Sequence, residues 1–210
     1  MNPFHPDNPV MCFLARLFDL ILLNLLFIFS CIPVFTIGAA LSAMYQVLFK
    51  IIDKKDPYIV KGYVKAFKEN FKQATLVWVI TVLSGIGISF ALSAIYKMTG
   101  QGYEFLQIPV WILAFTIAAV AVYAFPLLSR YQCGILQLLK NAFVLSITNI
   151  PATVIIIVFP LGLLYIASTA GLNVAAVCSI AATIGCSGSL YLVSFVLFQI
   201  FKKYENSDTP

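Results

Sequence analysis

The side chains able to do acid–base or metal chemistry are few and scattered in this chain. The only histidine, His5, lies near Asp7 in a proline-rich amino terminus, and one imidazole beside one carboxylate supplies too few ligands for a metal site. Asp53 and Asp56 flank two lysines, where a solvated charge cluster is a more ordinary arrangement than an acid–base pair. The sequence therefore predicts a protein that is not an enzyme and that holds no metal and no cofactor.

Two amides are the polar side chains best placed to act inside a membrane. Asn24 and Gln46 lie within apolar stretches, and the centres of these stretches contain no ionisable residue. Because ionisable groups at such depths usually mark ion or proton pathways, ion-coupled transport is disfavoured. We expect the two amides either to hydrogen-bond between helices or to line a polar cavity, and both roles stay open.

Small residues recur at every fourth position in two other apolar stretches. The first set is Gly85, Ser89 and Ser93, and the second is Ala181, Gly185 and Ser189. In lipid, small residues at this spacing let the backbones of two helices approach closely. Both sets are predicted to pack helices, either within this chain or against a partner.

The composition places the whole chain in a membrane. Of the 210 residues, 61% are hydrophobic and 10% are charged, and the mean hydropathy is +0.98; soluble domains carry roughly 25% charged residues. We expect one membrane domain over residues 1–210, with a polar segment at 1–9, a helical bundle at 10–203 and a polar tail at 204–210. The net charge of +5 lies beside apolar stretches, which indicates lipid headgroups as partners and not nucleic acid.

Six apolar stretches approach the length of about 20 residues that a transmembrane helix needs. Their predicted bounds are Leu17–Cys31, Phe35–Ile52, Thr75–Tyr96, Ile108–Ser129, Ile150–Ser168 and Val174–Phe201. The second is short enough to be a re-entrant element, which would leave five spans. The predicted fold is therefore an all-α, polytopic membrane bundle of six transmembrane helices, or of five.

The distribution of basic residues predicts the orientation of this bundle. With six spans, every one of the 13 Lys and Arg residues except Lys97 falls on the side that holds both termini. Basic residues collect on the cytoplasmic side of membrane proteins. We therefore expect a multi-pass protein of the bacterial cytoplasmic membrane with both termini in the cytoplasm.

Two connections on the basic side have the pattern of amphipathic helices that lie at the membrane surface. In the first, Val60, Val64, Phe67 and Phe71 share one face, and a lysine stripe is predicted to contact lipid headgroups or a partner. The stripe consists of Lys61, Lys65, Lys68 and Lys72. Packing of this helix on the base of the protein itself is an equally good interpretation. The second connection, residues 131–148, has Lys140 as its only charge and is expected to be more buried.

Several short stretches together resemble the YesL-like family of bacterial integral membrane proteins, a family of unknown function. They are Asp19–Leu20 with Asn24–Leu25, Ile32–Gly38, Lys65–Thr75, Phe125–Tyr131, Leu139–Phe143 and Asn149–Thr153. The last stretch departs from the family, which commonly has Arg-Thr where this chain has Ala152-Thr153. The resemblance implies a gene neighbourhood of sugar-importing ABC transporters and no ATPase domain.

Three functions follow from this combination of membrane pattern, missing chemistry and resemblance. The first is an auxiliary, non-enzymatic subunit of a carbohydrate ABC uptake system, with the permease subunits as partners. The second is a small transporter or channel that acts alone, as a homo-oligomer, with a water path past Asn24, Gln46 or Ser89. The third is a membrane scaffold or assembly factor that sets the abundance of a partner permease.

Overall fold

The computed structural model describes residues 9–53, 58–97, 103–131, 133–169 and 186–207. These residues form seven α-helices and no β-strand. The helices are α1 (Pro9–Cys31), α2 (Ile37–Ile52), α3 (Ile59–Lys97), α4 (Gln107–Arg130), α5 (Ile135–Thr148), α6 (Ile150–Thr169) and α7 (Cys186–Ser207). Short 3-10 turns at Val34–Thr36 and Tyr103–Leu106 lead into α2 and α4. The all-α architecture expected from the sequence is confirmed.

Several of these helices are long and apolar enough to cross a membrane, so the chain is an all-α membrane helix bundle. By length and composition α1, α2 with its leading turn, α3 and α4 qualify, and the pair α5–α6 adds a fifth span if it is counted as one. In α7 the described apolar part is the shorter stretch Leu190–Lys202. Part of the predicted sixth span, Val174–Phe201, lies outside the described residues.

Helix α2 lies at the centre of the bundle, although its sequence suggested the least certain span. It contacts α1, α3, α4 and α7, and 61% of its apolar window is buried inside the protein. Its first half is rich in small residues, which let neighbouring helices approach closely. These are Gly38, Ala39, Ala40, Ser42 and Ala43, and all are buried.

The turn between α1 and α2 is fixed to α3 by close packing and by a hydrogen bond. A Cβ atom added to Gly38 would lie 2.5 Å from the carbonyl oxygen of Ala74 and 2.6 Å from Cβ of Trp78, so only glycine fits at this crossing. The indole Nε1 of Trp78 donates to the carbonyl oxygen of Val34 over 3.0 Å. The hydroxyl of Thr36 donates to the carbonyl oxygens of Ser30 and Pro33.

Helix α3 joins two elements that the sequence predicted to be separate, an interfacial helix and the third span. The lysine-rich segment and the apolar segment form one helix of 39 residues, Ile59–Lys97. The residues on its buried side are Ile59, Tyr63, Ala66, Ala74 and Val77, a line with the spacing of helix packing. The predicted apolar face is shifted, because Val60 and Val64 are exposed while Phe67 and Phe71 are partly buried.

Helix α5 has the arrangement expected of a helix at a membrane surface. It meets α6 at an angle of 97°, so the two helices are nearly perpendicular. Leu138, Ala142 and Ser146 face the protein. A second, exposed side is apolar and consists of Leu136, Phe143, Val144 and Ile147. Exposed Lys140 lies within this second side, which makes α5 less buried than the sequence suggested.

A buried hydrogen-bond cluster joins α4 to the junction of α5 and α6. The Tyr123 hydroxyl and Thr153 Oγ1 lie 3.0 Å apart, and both residues are buried. Thr153 Oγ1 also lies 3.1 Å from the carbonyl oxygen of Ser146 and 3.0 Å from that of Asn149. The cluster therefore connects α4, the end of α5 and the first turn of α6 through one side chain.

Replacing Thr153 with valine is expected to lower the free energy of unfolding by about 1–2 kcal/mol, because the buried polar groups around its hydroxyl lose a hydrogen-bond partner. Thermal unfolding in detergent would measure the change. Thr116→Val is the matched control, since the Thr116 hydroxyl is exposed and donates only to Ile112 of its own helix. Equal losses for the two variants would contradict a structural role for the cluster.

Candidate functional site at the inner end of the bundle

A polar cavity opens at the end of the bundle where α2 and α4 terminate and α7 packs beside them. We call this end of the bundle the inner end. Its volume is about 260 Å³. The lining residues are Gln46, Phe49, Lys50, Asp53, Ser129, Arg130 and Phe198. Two helices, α2 with its end and α4, therefore contribute polar or charged side chains to one site, and α7 adds the ring of Phe198.

Arg130 is held against the aromatic residues of α7. Its guanidinium carbon lies 5.2 Å from the ring centroid of Phe198 and 5.9 Å from that of Phe201. The Phe201 ring also meets Phe49 and Tyr131 edge to face, with centroid distances of 6.0 and 6.3 Å. Arg130 thus joins the end of α4 to α7 by cation–π contact as well as by charge.

The charges of this cavity are nearly balanced. Lys50 and Arg130 bring two positive charges and Asp53 brings one negative charge. Because α2 ends at Ile52 and α4 at Arg130, their last carbonyls add partial negative charge. The site therefore suits a polar or zwitterionic group better than a phosphate. Among the described residues no group of three or more His, Cys, Asp or Glu side chains is placed to hold a metal ion.

The cysteine that follows the end of α4 lacks the lowered thiol pKa of a reactive nucleophile. Cys133 follows α4 and is partly buried. Burial raises the pKa of its thiol above the ordinary value, whereas reactive cysteines have a lowered pKa.

The structure separates the polar residues that the sequence proposed for a water path. Gln46 lines the inner cavity, and its Oε1 accepts a hydrogen bond from Asn70 Nδ2 over 3.4 Å. Asn24 is completely buried in α1, and Ser89 lies on the exposed side of α3, where its hydroxyl donates to Gly85. The inner cavity is lined by Gln46 but by neither Asn24 nor Ser89.

The lysine stripe lies on the side of α3 opposite to its buried line. Lys61, Lys65, Lys68 and Lys72 are all exposed. On a helical wheel of 100° per residue they lie about half a turn from Ile59, Tyr63 and Ala66, which pack against α2 and Leu23. Lys65 Nζ lies 3.8 Å from Glu69 Oε1, four residues further along the same helix. One side of this segment packs on the protein, while contact of the exposed lysine side with headgroups or a partner stays a prediction.

The first set of small residues lies on the outer half of α3 and is exposed. A Cβ atom added to Gly85 would meet nothing within 4 Å. The hydroxyls of Ser89 and Ser93 donate to the carbonyl oxygens of Gly85 and Ser89 over 2.9 and 2.8 Å. Among the described residues Gly85 therefore has open space beside it, whereas Ser93 borders the start of α4. In the second set, Ala181 and Gly185 lie outside the described residues, as does the side chain of Ser189.

A wider cleft lies at the outer end, between the end of α3 and the start of α4. Its volume is about 410 Å³, and its lining residues are Leu92, Ser93, Tyr96, Lys97, Gln107 and Trp111. Tyr96 and Trp111 are strongly exposed, as expected of aromatic residues at a membrane–water interface.

The first part of the chain matches a known protein family. Residues 20–92 match the family described as "Protein of unknown function, DUF624". The matched segment runs from α1 to the outer half of α3 and contains Gly38, the Gln46–Asn70 contact and the lysine stripe. The match is consistent with the YesL-like resemblance. Comparisons with curated proteins and with solved structures gave no match.

Sequence reasoning found the lysine stripe and Gln46, but it missed the cavity formed around Arg130. The aromatic contacts of Arg130 come from α7, which lies far from it in the chain. A basic residue at the end of an apolar stretch gives only an orientation signal in the sequence.

Replacing Arg130 with alanine is expected to lower the free energy of unfolding by about 1 kcal/mol, because its cation–π contacts with α7 are lost. Thermal unfolding would measure this loss. Lys140→Ala removes a basic residue from the exposed side of α5 and should have little effect. An unchanged stability of the Arg130 variant would show that the contact with α7 contributes nothing.

Proposed function

We propose that this chain is a non-enzymatic membrane subunit that associates with the permease of a carbohydrate ABC uptake system. It would lie in the cytoplasmic membrane with both termini in the cytoplasm. The exposed outer half of α3, with its small residues, is the observation that supports association with another membrane protein. The carbohydrate system as the partner rests on the YesL-like resemblance.

The outer half of α3 has the properties of a helix-packing surface. Only 6% of the apolar window of α3 is buried inside the protein, and Val82 and Ile86, which lie beside the small residues on the helical wheel, are 37% and 61% exposed. Association of helices in lipid depends on close van der Waals packing, which small residues allow. Because the hydroxyls of Ser89 and Ser93 already donate within the helix, covering this surface would leave no hydroxyl donor unpaired.

Purification in mild detergent would test the proposal, with the co-purified proteins identified by mass spectrometry. The wild-type protein should retain permease subunits, and Gly85→Leu should lose them because a large side chain blocks close approach. Gly87→Leu is the matched control: a Cβ at Gly87 also meets nothing within 4 Å, but this residue lies on another side of α3.

Each alternative predicts a different result from the same preparations. Wild-type protein that never retains permease subunits would contradict the proposed partner, and equal loss in both glycine variants would contradict the proposed surface. A stand-alone transporter would move sugars or ions in liposomes that contain this chain alone. An assembly factor would change the abundance of the permease when deleted, whereas a subunit would change uptake at constant abundance.

A further inference from the structure

The inner cavity lies at the level where the apolar part of α4 ends. Helix α4 has 24 residues and is roughly 36 Å long at about 1.5 Å per residue, slightly more than the hydrocarbon thickness of about 30 Å. It contains no charged residue before its last one, Arg130. Because Arg130 lines the cavity, a crossing by α4 places the cavity in the layer of lipid headgroups at the inner end.

Contacts within the protein already hold two polar walls of this cavity in place. The Arg130 guanidinium carbon lies 5.2 Å from the centroid of the Phe198 ring. Ser129 is buried, and its hydroxyl donates to the carbonyl oxygen of Pro126 over 2.7 Å. A hydroxyl has one hydrogen to donate, so Ser129 can only accept a hydrogen bond from a ligand. Side chains that are already ordered lose less entropy when a ligand binds.

The lining residues offer partners for both signs of charge. Lys50 and Arg130 can donate to an anionic group. Asp53 supplies a carboxylate, Ser129 supplies an acceptor oxygen, and the last carbonyls of α2 and α4 add partial negative charge, all of which suit an ammonium group. A lone phosphate would face the like charge of Asp53, and a lone ammonium would face two cations. A ligand that carries both groups avoids both repulsions.

The size of the cavity restricts this ligand to a small group. The volume of about 260 Å³ lies below the roughly 300–1,000 Å³ of pockets that enclose drug-sized ligands. Among phospholipid headgroups, phosphoethanolamine carries a phosphodiester and a primary ammonium that are joined by two carbons. Phosphoglycerol lacks the ammonium. The ammonium of phosphocholine carries methyl groups in place of its hydrogens, so it has no N–H to donate to Asp53 or Ser129.

We infer that the inner cavity binds phosphoethanolamine, with the phosphodiester between Lys50 and Arg130 and the ammonium at Asp53 and Ser129. Phosphatidylethanolamine of the inner leaflet and soluble glycerophosphoethanolamine both carry this group. Because the partners come from α2 and α4, the bound group joins the ends of these two helices. The inference does not depend on any association with a permease.

Lipid competition on the purified full-length protein tests this inference. The protein in detergent is incubated with equal amounts of phosphatidylethanolamine, phosphatidylglycerol and phosphatidylcholine that have the same acyl chains, and native mass spectrometry counts the retained lipids. Wild-type protein should retain phosphatidylethanolamine over each of the other two by about tenfold, because hydrogen bonds to charged groups are the strong ones. Displacement by excess glycerophosphoethanolamine would make the soluble compound a ligand as well, whereas retention of the lipid would assign the site to the membrane lipid.

Two substitutions separate the two halves of the site. Asp53→Asn removes a negative charge at an exposed position and should lower the preference for phosphatidylethanolamine over phosphatidylglycerol from about tenfold to about onefold. Lys50→Gln should lower the retention of both lipids. Lys140→Gln removes an exposed charge from α5 and is the matched control, which should change neither value. Thermal unfolding of each variant checks that it is folded.

Two results would overturn the inference. Equal retention of the three lipids by the wild-type protein would do so without any substitution. An unchanged preference for phosphatidylethanolamine in folded Asp53→Asn would show that the lipid is held elsewhere on the surface.

Discussion

Replacing Gly38 with alanine is expected to lower the free energy of unfolding by about 3 kcal/mol, the upper part of the range for overpacking a core. The added methyl group would lie 2.5 Å from a backbone oxygen of Ala74, and a backbone atom cannot move aside as a flexible side chain can. Helices α2, α3 and α4 would have to separate, since Phe125 of α4 also lies only 3.1 Å from the same point. Unfolding in a detergent–SDS titration would measure the loss.

Gly85→Ala is the matched control for this effect. The same substitution there meets nothing within 4 Å and replaces a poor helix former with the best one, so stability should stay constant or rise by up to about 1 kcal/mol. Equal stabilities of the two variants would mean that α2 and α3 do not cross at Gly38 as described.

Replacing Leu197 with alanine is expected to destabilise the protein by about 2 kcal/mol, near the lower limit for a large-to-small change in a core. Leu197 is completely buried and belongs to the cluster that joins α7 to Phe49 and Leu128. The loss is near the lower limit because lipid, not water, surrounds the bundle, so the cavity and lost van der Waals contacts are the main terms. The same titration would measure it.

Phe195→Ala removes a larger side chain from the same helix but should cost less. Phe195 is 49% exposed and makes fewer contacts that the substitution can remove. A larger loss for Phe195→Ala than for Leu197→Ala would show that α7 is rotated about its axis relative to the described packing.

Hydropathy and charge predicted the class of this fold well, because both depend on local composition. The apolar stretches became helices, and the lysines of residues 61–72 lie together on one exposed side of α3. Lys65 and Glu69 are four residues apart, and helical spacing is enough to bring their side chains together. These features need no information about which helices touch.

The features that the sequence did not reveal depend on contacts between distant residues. The central position of α2 arises from small residues such as Gly38 and Ala43, which hydropathy scales score no higher than other apolar residues. The sequence did not predict that α3 is continuous, because its lysine-rich half is typical of an interfacial helix and its apolar half is typical of a transmembrane helix. The buried line that includes Tyr63 and Ala66 was missed because Val60 and Val64 are more hydrophobic, although they are exposed.

The candidate site was predictable only in part for the same reason. Gln46 could be selected as a polar residue inside an apolar stretch, and it does line the inner cavity. Arg130 and Phe198 come together only when α7 packs against the end of α4, and a single sequence carries no signal of that contact.

The most direct test of this topology asks whether the two ends of α3 lie on opposite sides of the membrane. One lysine in each half of the helix allows this test. In a cysteine-free background, Lys97→Cys should react with an impermeant thiol reagent from outside intact cells, whereas Lys65→Cys should react only after permeabilisation. Both side chains are exposed, so access to the thiol does not limit either reaction. Labelling of both positions from the same side would contradict a crossing by α3, and labelling of Lys65→Cys alone from outside would contradict the cytoplasmic placement of the basic end.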